Sequence, residues 1–145
     1  MRHITFVCVS VLLAAAAFGQ QGKPNFSGSW RLVADKSQVH PGKASVVAMT
    51  IEQKDSSIHV KKTIKGAGGD ESTTEFTCTM DGNDCDAGAF KVNLFFDGRA
   101  LVEMDFSDSA MSKTIMTLDD SNTICASVTY VAPKGEADTF TFDKM

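Results

Sequence analysis

Apolar residues recur at every second position along almost the whole chain, and a period of two is what a strand with one buried face requires. Trp30, Leu32 and Ala34 share a face, as do Val47, Met49 and Ile51, and then Ile58, Val60 and Ile64. The alternation resumes at Phe76, Cys78 and Met80, at Phe90, Val92, Leu94 and Phe96, and at Ala100, Val102, Met104 and Phe106. Further runs are Met116 with Leu118, then Ile124, Ala126, Val128 and Tyr130, and finally Phe140 with Phe142. Turn-forming clusters separate them: Asp55-Ser56-Ser57, residues 66–70, Asp81-Gly82, Asp97-Gly98, residues 119–122 and residues 133–135. About nine short strands joined by tight turns predict an all-β fold, an antiparallel up-and-down barrel of roughly 8–10 strands. No window of useful length carries a helical period.

Two hairpins allow a register to be assigned. A two-residue turn at Asp97-Gly98 would set Phe96 opposite Arg99 and scramble both apolar faces. A three-residue loop, Asp97-Gly98-Arg99, instead pairs Phe96 with Ala100, Leu94 with Val102, Val92 with Met104 and Phe90 with Phe106, and places glycine in the left-handed position. At the second hairpin, Asp81-Gly82 as a two-residue turn sets Cys78 directly opposite Cys85. Opposed residues come within disulfide range, so a Cys78–Cys85 bridge is expected. Cys125 alternates away from Ile124 and Ala126 and reads as an outward, odd thiol. No Cys-x-x-Cys or paired-histidine spacing suggests zinc, and no metal or other cofactor is expected.

The first residues change the picture of where such a bridge would form. Arg2, an apolar run from Ile4 to Leu13, and the alanines 14–17 leading to Phe18-Gly19 have the make-up of a secretory signal peptide, with cleavage before Gln20. The run is shorter than the roughly 20 apolar residues of a membrane span. Residues 1–19 are therefore expected to be removed, residues 20–25 to form a short leader, and residues 26–145 to form one domain. The expected product is secreted or periplasmic, without a membrane anchor, in a compartment where disulfides persist.

Cleavage there would leave 126 of the 145 residues, enough for one real core. The whole chain carries 14 Lys and Arg against 18 Asp and Glu, and loss of Arg2 would leave a net charge of −5. Lysines scattered among carboxylates are not the basic patch that grips phosphate backbones, so nucleic acid is not an expected partner.

No catalytic constellation is legible. His40 lies in the turn region before Pro41 and His59 on the polar face of its strand, and both read as solvated surface histidines. No serine sits in a nucleophile elbow. Asp81, Asp84 and Asp86 alternate around a glycine but lack the closing Glu of a calcium loop, which leaves a polar hairpin tip.

The run Phe26-Ser27-Gly28-Ser29-Trp30-Arg31-Leu32 resembles the Phe-x-Gly-x-Trp start of the calycins, the lipocalins and fatty-acid-binding proteins. The longer run Phe26 to Ser37 also resembles the start of small exported bacterial proteins. The resemblance implies a lipocalin-like barrel in which Gly28 permits close packing at one end and Trp30 closes the floor. It covers about a dozen residues. Between Ser37 and Ser45 there is no room for a lid of paired helices, and Thr139 to Asp143 has no Arg-x-Tyr for holding a carboxylate. The lipocalin Thr-Asp-Tyr motif and late Arg are absent too, so ligand-binding residues do not carry over.

In a barrel of these strands the inward set would be Trp30, Phe76, Phe90, Leu94, Phe96, Met104, Phe106, Tyr130, Phe140 and Phe142. Barrels of about eight strands either fill with side chains or hold one small ligand. Lys62 interrupts an apolar face; it would either meet an acidic head group or, the simpler reading, snorkel to water from the strand end. The expectation is a non-enzymatic protein that binds a small apolar or amphipathic molecule. The alternative is a filled barrel acting through its surface, as an inhibitor or envelope interaction protein, with the acidic tip Asp81 to Asp86 as the contact.

Overall fold

Alternating faces build ten strands in the computed structural model, which describes residues 22–145; the expected signal peptide and its cleavage point lie outside the described residues. They are β1 (Gly28–Leu32), β2 (Ser45–Lys54), β3 (Ser57–Lys65), β4 (Glu71–Thr79), β5 (Asp81–Asp86), β6 (Lys91–Asp97), β7 (Ala100–Phe106), β8 (Met111–Asp120), β9 (Thr123–Ala132) and β10 (Asp138–Lys144). A single 3₁₀ turn, Ala34–Lys36, lies in the β1–β2 connection. Every pairing is antiparallel, and β1 hydrogen-bonds both β2 and β10, so the up-and-down sheet curls into a nearly closed barrel. Its order runs from β4 through β1 and β10 round to β5, which leaves one unpaired seam between β4 and β5.

Cys78 and Cys85 are bonded across that seam, their Cα atoms 5.6 Å apart. The bridge is the one expected, but the ladder around it is not. β4 pairs with β3 and β5 with β6, and the Met80 N–H donates to Ser56 O at 2.8 Å instead of to β5. The cause is local: the Asp81 carboxylate accepts from the Asn83 N–H at 3.0 Å, from Asn83 Nδ2 at 2.9 Å and from Thr79 Oγ1 at 2.8 Å. Such short-range bonds compete with a ladder. Cys125 is free and exposed, as the alternation indicated.

The β6–β7 hairpin corrects the expected register. Asp97 pairs with Ala100, Phe96 with Leu101, Leu94 with Glu103 and Val92 with Asp105. The loop is the two residues Gly98-Arg99, with Gly98 at φ 60°, where a tight hairpin turn places glycine. One residue of slip turns β7 over. Leu101, Glu103 and Asp105 face inward, while Val102, Met104 and Phe106 join the outward row. Val102 is nonetheless only 2% exposed, flanked by its outer-face neighbours Phe95 and Ile115.

An up-and-down barrel has two ends. The β2–β3, β4–β5, β6–β7 and β8–β9 turns lie at the lower one, where the chain also enters β1. There Phe26 and Trp30 are wholly buried, the Trp30 indole N–H donates to Phe26 O at 3.0 Å, and the Phe26 ring lies 6.2 Å from that of Phe96. Residues 22–27 pack across this rim: Pro24 O accepts from Gln53 Nε2 and the Phe26 N–H donates to Gln53 Oε1. A Cβ on Gly28 (φ 148°) would come within 2.6 Å of Lys144 Cε.

Candidate functional site

The upper half of the interior is built differently. Lys62 on β3 sits in an inward row between Met49 and Thr74, continuous with Val60, Ile58 and Phe76. From β7, the inward Glu103 meets it: the Lys62 ammonium donates to Glu103 Oε1, and Glu103 is only 1% exposed. Lys62 Nζ also lies 5.5 Å from the centroid of the Phe76 ring. Lys62 therefore neither reaches out to water nor waits with a free charge for an anion. Burial works against its protonation, but the carboxylates of Glu103 and Asp105 outweigh that and raise its pKa.

Two residues along β7, about 6.6 Å on by strand rise, Asp105 faces the same interior. Glu103 Oε2 and Asp105 Oδ1 are both buried without a hydrogen-bond partner. Burial, followed by the nearby Glu103 carboxylate and a hydrogen bond that protonated Asp105 makes to it, pushes the Asp105 pKa up to about 8, with Lys62 opposing. In neutral solution Asp105 thus holds a proton, the usual resolution when two carboxyls share a dry site.

Two separate spaces border this pair, one at each carboxyl. Below it is an internal cavity of about 50 Å³ bordered by Lys62, Glu103, Thr114, Met116, Phe140 and Phe142. Above it a groove of about 380 Å³, formed by Ile64, Ala89, Phe90, Phe106 and Ala110, opens at the upper mouth with Asp105 on its wall. A larger surface recess, about 570 Å³, runs along Arg31–Asp35 and Asp143–Met145 and shares no residue with either space.

A second polar cluster ties the mouth together. Asp138 is fully buried at the start of β10 and accepts from the His40 N–H at 2.9 Å and Tyr130 OH at 2.8 Å, with His40 Nδ1 at 2.7 Å. Burial favours the neutral acid, but these donors prevail and lower the Asp138 pKa. His40 Nε2 also meets Glu136 at 2.8 Å, so His40 is not the solvated surface residue expected of it. It pins the β1–β2 connection to the β9–β10 hairpin. His59 lies on the outer face between Thr77 Oγ1 and Glu75 Oε1, each at 2.8 Å.

Of the residues selected as interior candidates, Trp30, Phe76, Leu94, Phe140 and Phe142 are buried core, and Phe90 and Phe96 pack against it. Tyr130 belongs to the Asp138 cluster. Met104 lies outside by register, and Phe106, also in the outward row, borders the mouth groove from the strand end. Periodicity missed Glu103, Asp105 and Asp138. The signal for the first two was Lys62 itself, since a lysine on an apolar face needs an acidic partner.

No family model, curated protein or solved structure matches this chain. Among the described residues no group of three or more acidic, His or Cys side chains could hold a metal, and no helix is long and apolar enough to cross a membrane.

Proposed function

We propose that this protein is an exported, non-enzymatic binder of a small amphipathic molecule, held at the upper end of the barrel with its apolar body in the mouth groove and its polar end toward Asp105 and Glu103. One observation carries this: a buried lysine with two carboxyls, two of their oxygens unpartnered, at the step between groove and cavity. Replacing a buried ion pair with packed apolar residues is often neutral or stabilising, so a barrel selected only for stability has no need of this cluster. Departures from such consistency collect at functional sites. The cavity alone is far below the roughly 300 Å³ of an ordinary ligand pocket, so the ligand lies mainly in the groove. The disulfide supports export, and the Phe26-x-Gly28-x-Trp30 start adds the resemblance to calycins.

An environment-sensitive apolar dye and native mass spectrometry of the protein lacking residues 1–19 test the reading. Saturable dye binding that Ala89→Trp abolishes at unchanged thermal stability is the expected result. Absence of dye binding and of any co-purifying adduct would overturn it.

The filled interior below Lys62 favours a second reading, in which the outer surface carries the function through the acidic tip. Asp84 and Asp86 remain exposed there. Equal partner recovery with wild type and with an Asp84→Asn/Asp86→Asn variant would remove it.

A further inference from the structure

Resting on the mouth-binding reading, we infer that the polar end of the ligand is a primary ammonium group, taken up between Glu103 and Asp105. No donor group of the protein reaches Glu103 Oε2 or Asp105 Oδ1, both buried, and in the empty site only the proton on Asp105 joins the two carboxyls. Beyond that one proton the site has no donor to spare. The one cation present, Lys62, is committed to Glu103 Oε1 and to the Phe76 face. A carboxylate ligand would be repelled by the Glu103 carboxylate, would find Lys62 already spent, and could gain the Asp105 proton only by taking it from Glu103. An alcohol brings one donor and no charge. An ammonium brings three donors and, in displacing the Asp105 proton, supplies the positive charge that two carboxylates and one lysine then require.

The spaces fit this assignment. Ile64, Phe90 and Phe106 take the body in the groove, which brings the ammonium to Asp105 on the groove wall, with Glu103 and the cavity of about 50 Å³ behind it. In the empty site a proton on Asp105 relieves the repulsion from Glu103. The ammonium takes over that role, so binding forms charge-assisted N–H···O contacts and releases the Asp105 proton to solvent. The groups facing Asp105 from the neighbouring strands are Lys62 on β3, Val92 on β6 and Ser112 on β8, with Glu103 on its own strand. Lys62 and Glu103 are therefore the only titratable groups among these neighbours, and Tyr130 and Asp138 are engaged with each other.

Isothermal titration at pH 7.5 with n-octylamine, n-octanol and octanoate decides it. Octylamine should bind about tenfold or more tightly than octanol, as charge-assisted hydrogen bonds require, and octanoate weakest. Titrations in buffers of different ionisation enthalpy should show proton release on amine binding, and Asp105→Asn should abolish both the release and the preference for amine. Octanol or octanoate binding as tightly as octylamine would overturn the ammonium assignment and leave mouth binding standing. Failure of all three probes and of the apolar dye would overturn both. Should Asp105→Asn not fold, the ranking of the three probes on the wild-type protein decides alone.

Discussion

The two ends of this barrel answer opposite demands. At the lower end Phe26, Trp30, Phe96 and Leu101 pack as apolar core with no carboxylate among them, Lys23 and Lys144 only lying over the Phe96 and Trp30 rings, and the one polar group of Trp30 is satisfied by Phe26 O. At the upper end the same inward rows deliver Lys62, Glu103 and Asp105 to a place where two carboxyl oxygens have no partner. The lower end is packed as a core, whereas the upper end gives up stability to keep charges in a dry site. Aromatic residues inside a barrel therefore say little about a binding site, because here they seal the end away from it.

The comparison breaks most visibly at the seal. Trp30→Ala removes the largest buried side chain and its hydrogen bond, and should cost about 3–5 kcal/mol in urea unfolding. Loss below about 1 kcal/mol would mean the lower end is not the packed half. Lys62→Met is the upper counterpart. It leaves Glu103 buried and uncompensated and should cost about 3 kcal/mol, yet Lys62→Met/Glu103→Leu should restore or exceed wild-type stability. No single or double change at Trp30 can do that, since the lower end has no opposed cost to relieve.

The pH dependence sharpens the same contrast. The Asp105 pKa is raised from 3.8 to about 8 in the folded state. Between these values the folded protein holds a proton that the unfolded chain has lost, so stability falls as pH rises through this range and levels off above it. Asp138, lowered from 3.8, adds stability above that value that is lost on acidification. Lys62 and Tyr130, raised from 10.5 and 10.0, act only in strong alkali. Of these four groups only Asp105 titrates between pH 5 and pH 9. Thermal scans should show a decline across this window, on the order of 4 kcal/mol, that Asp105→Asn flattens.

The seam comes next in size. Cys78→Ser/Cys85→Ser opens a loop only seven residues apart in sequence, and the chain-entropy argument gives about 2–3 kcal/mol. Because the bridge replaces ladder bonds that β4 and β5 do not make, hydrogen exchange should rise along both strands in the variant while β1 and β10 stay protected. Uniform loss of protection would show that the seam is not an independent joint.

Period two made nine of the ten strands legible, along with the barrel, the Cys78–Cys85 bridge and the outward Cys125. It missed β5 because that strand offers only one apolar residue, Cys85, among Asp81, Asn83, Asp84 and Asp86. The site was legible only at Lys62. Glu103 and Asp105 were hidden because β7 carries its longer apolar series, Val102, Met104 and Phe106, on the outer face, where Phe95 and Ile115 meet it. The pattern alone favours the wrong side. His40 and Asp138 are 98 residues apart and joined only by the closed fold, so nothing local announces them.

The smallest expected effect, that of Met104→Gln, tests that inversion directly when set beside Leu101→Ala. If β7 carries Leu101 inward and Met104 outward, Leu101→Ala should cost about 2–5 kcal/mol through an unfilled cavity near Leu94 and Met116, while Met104→Gln should stay below about 1 kcal/mol. The register expected from periodicity demands the reverse, because Met104 would then sit opposite Val92 in the core. Each substitution is read in the same unfolding assay, and only the order of the two matters. A larger cost at Met104 would return Glu103 and Asp105 to the solvent face, and with them the unpartnered oxygens on which the contrast between the two ends depends.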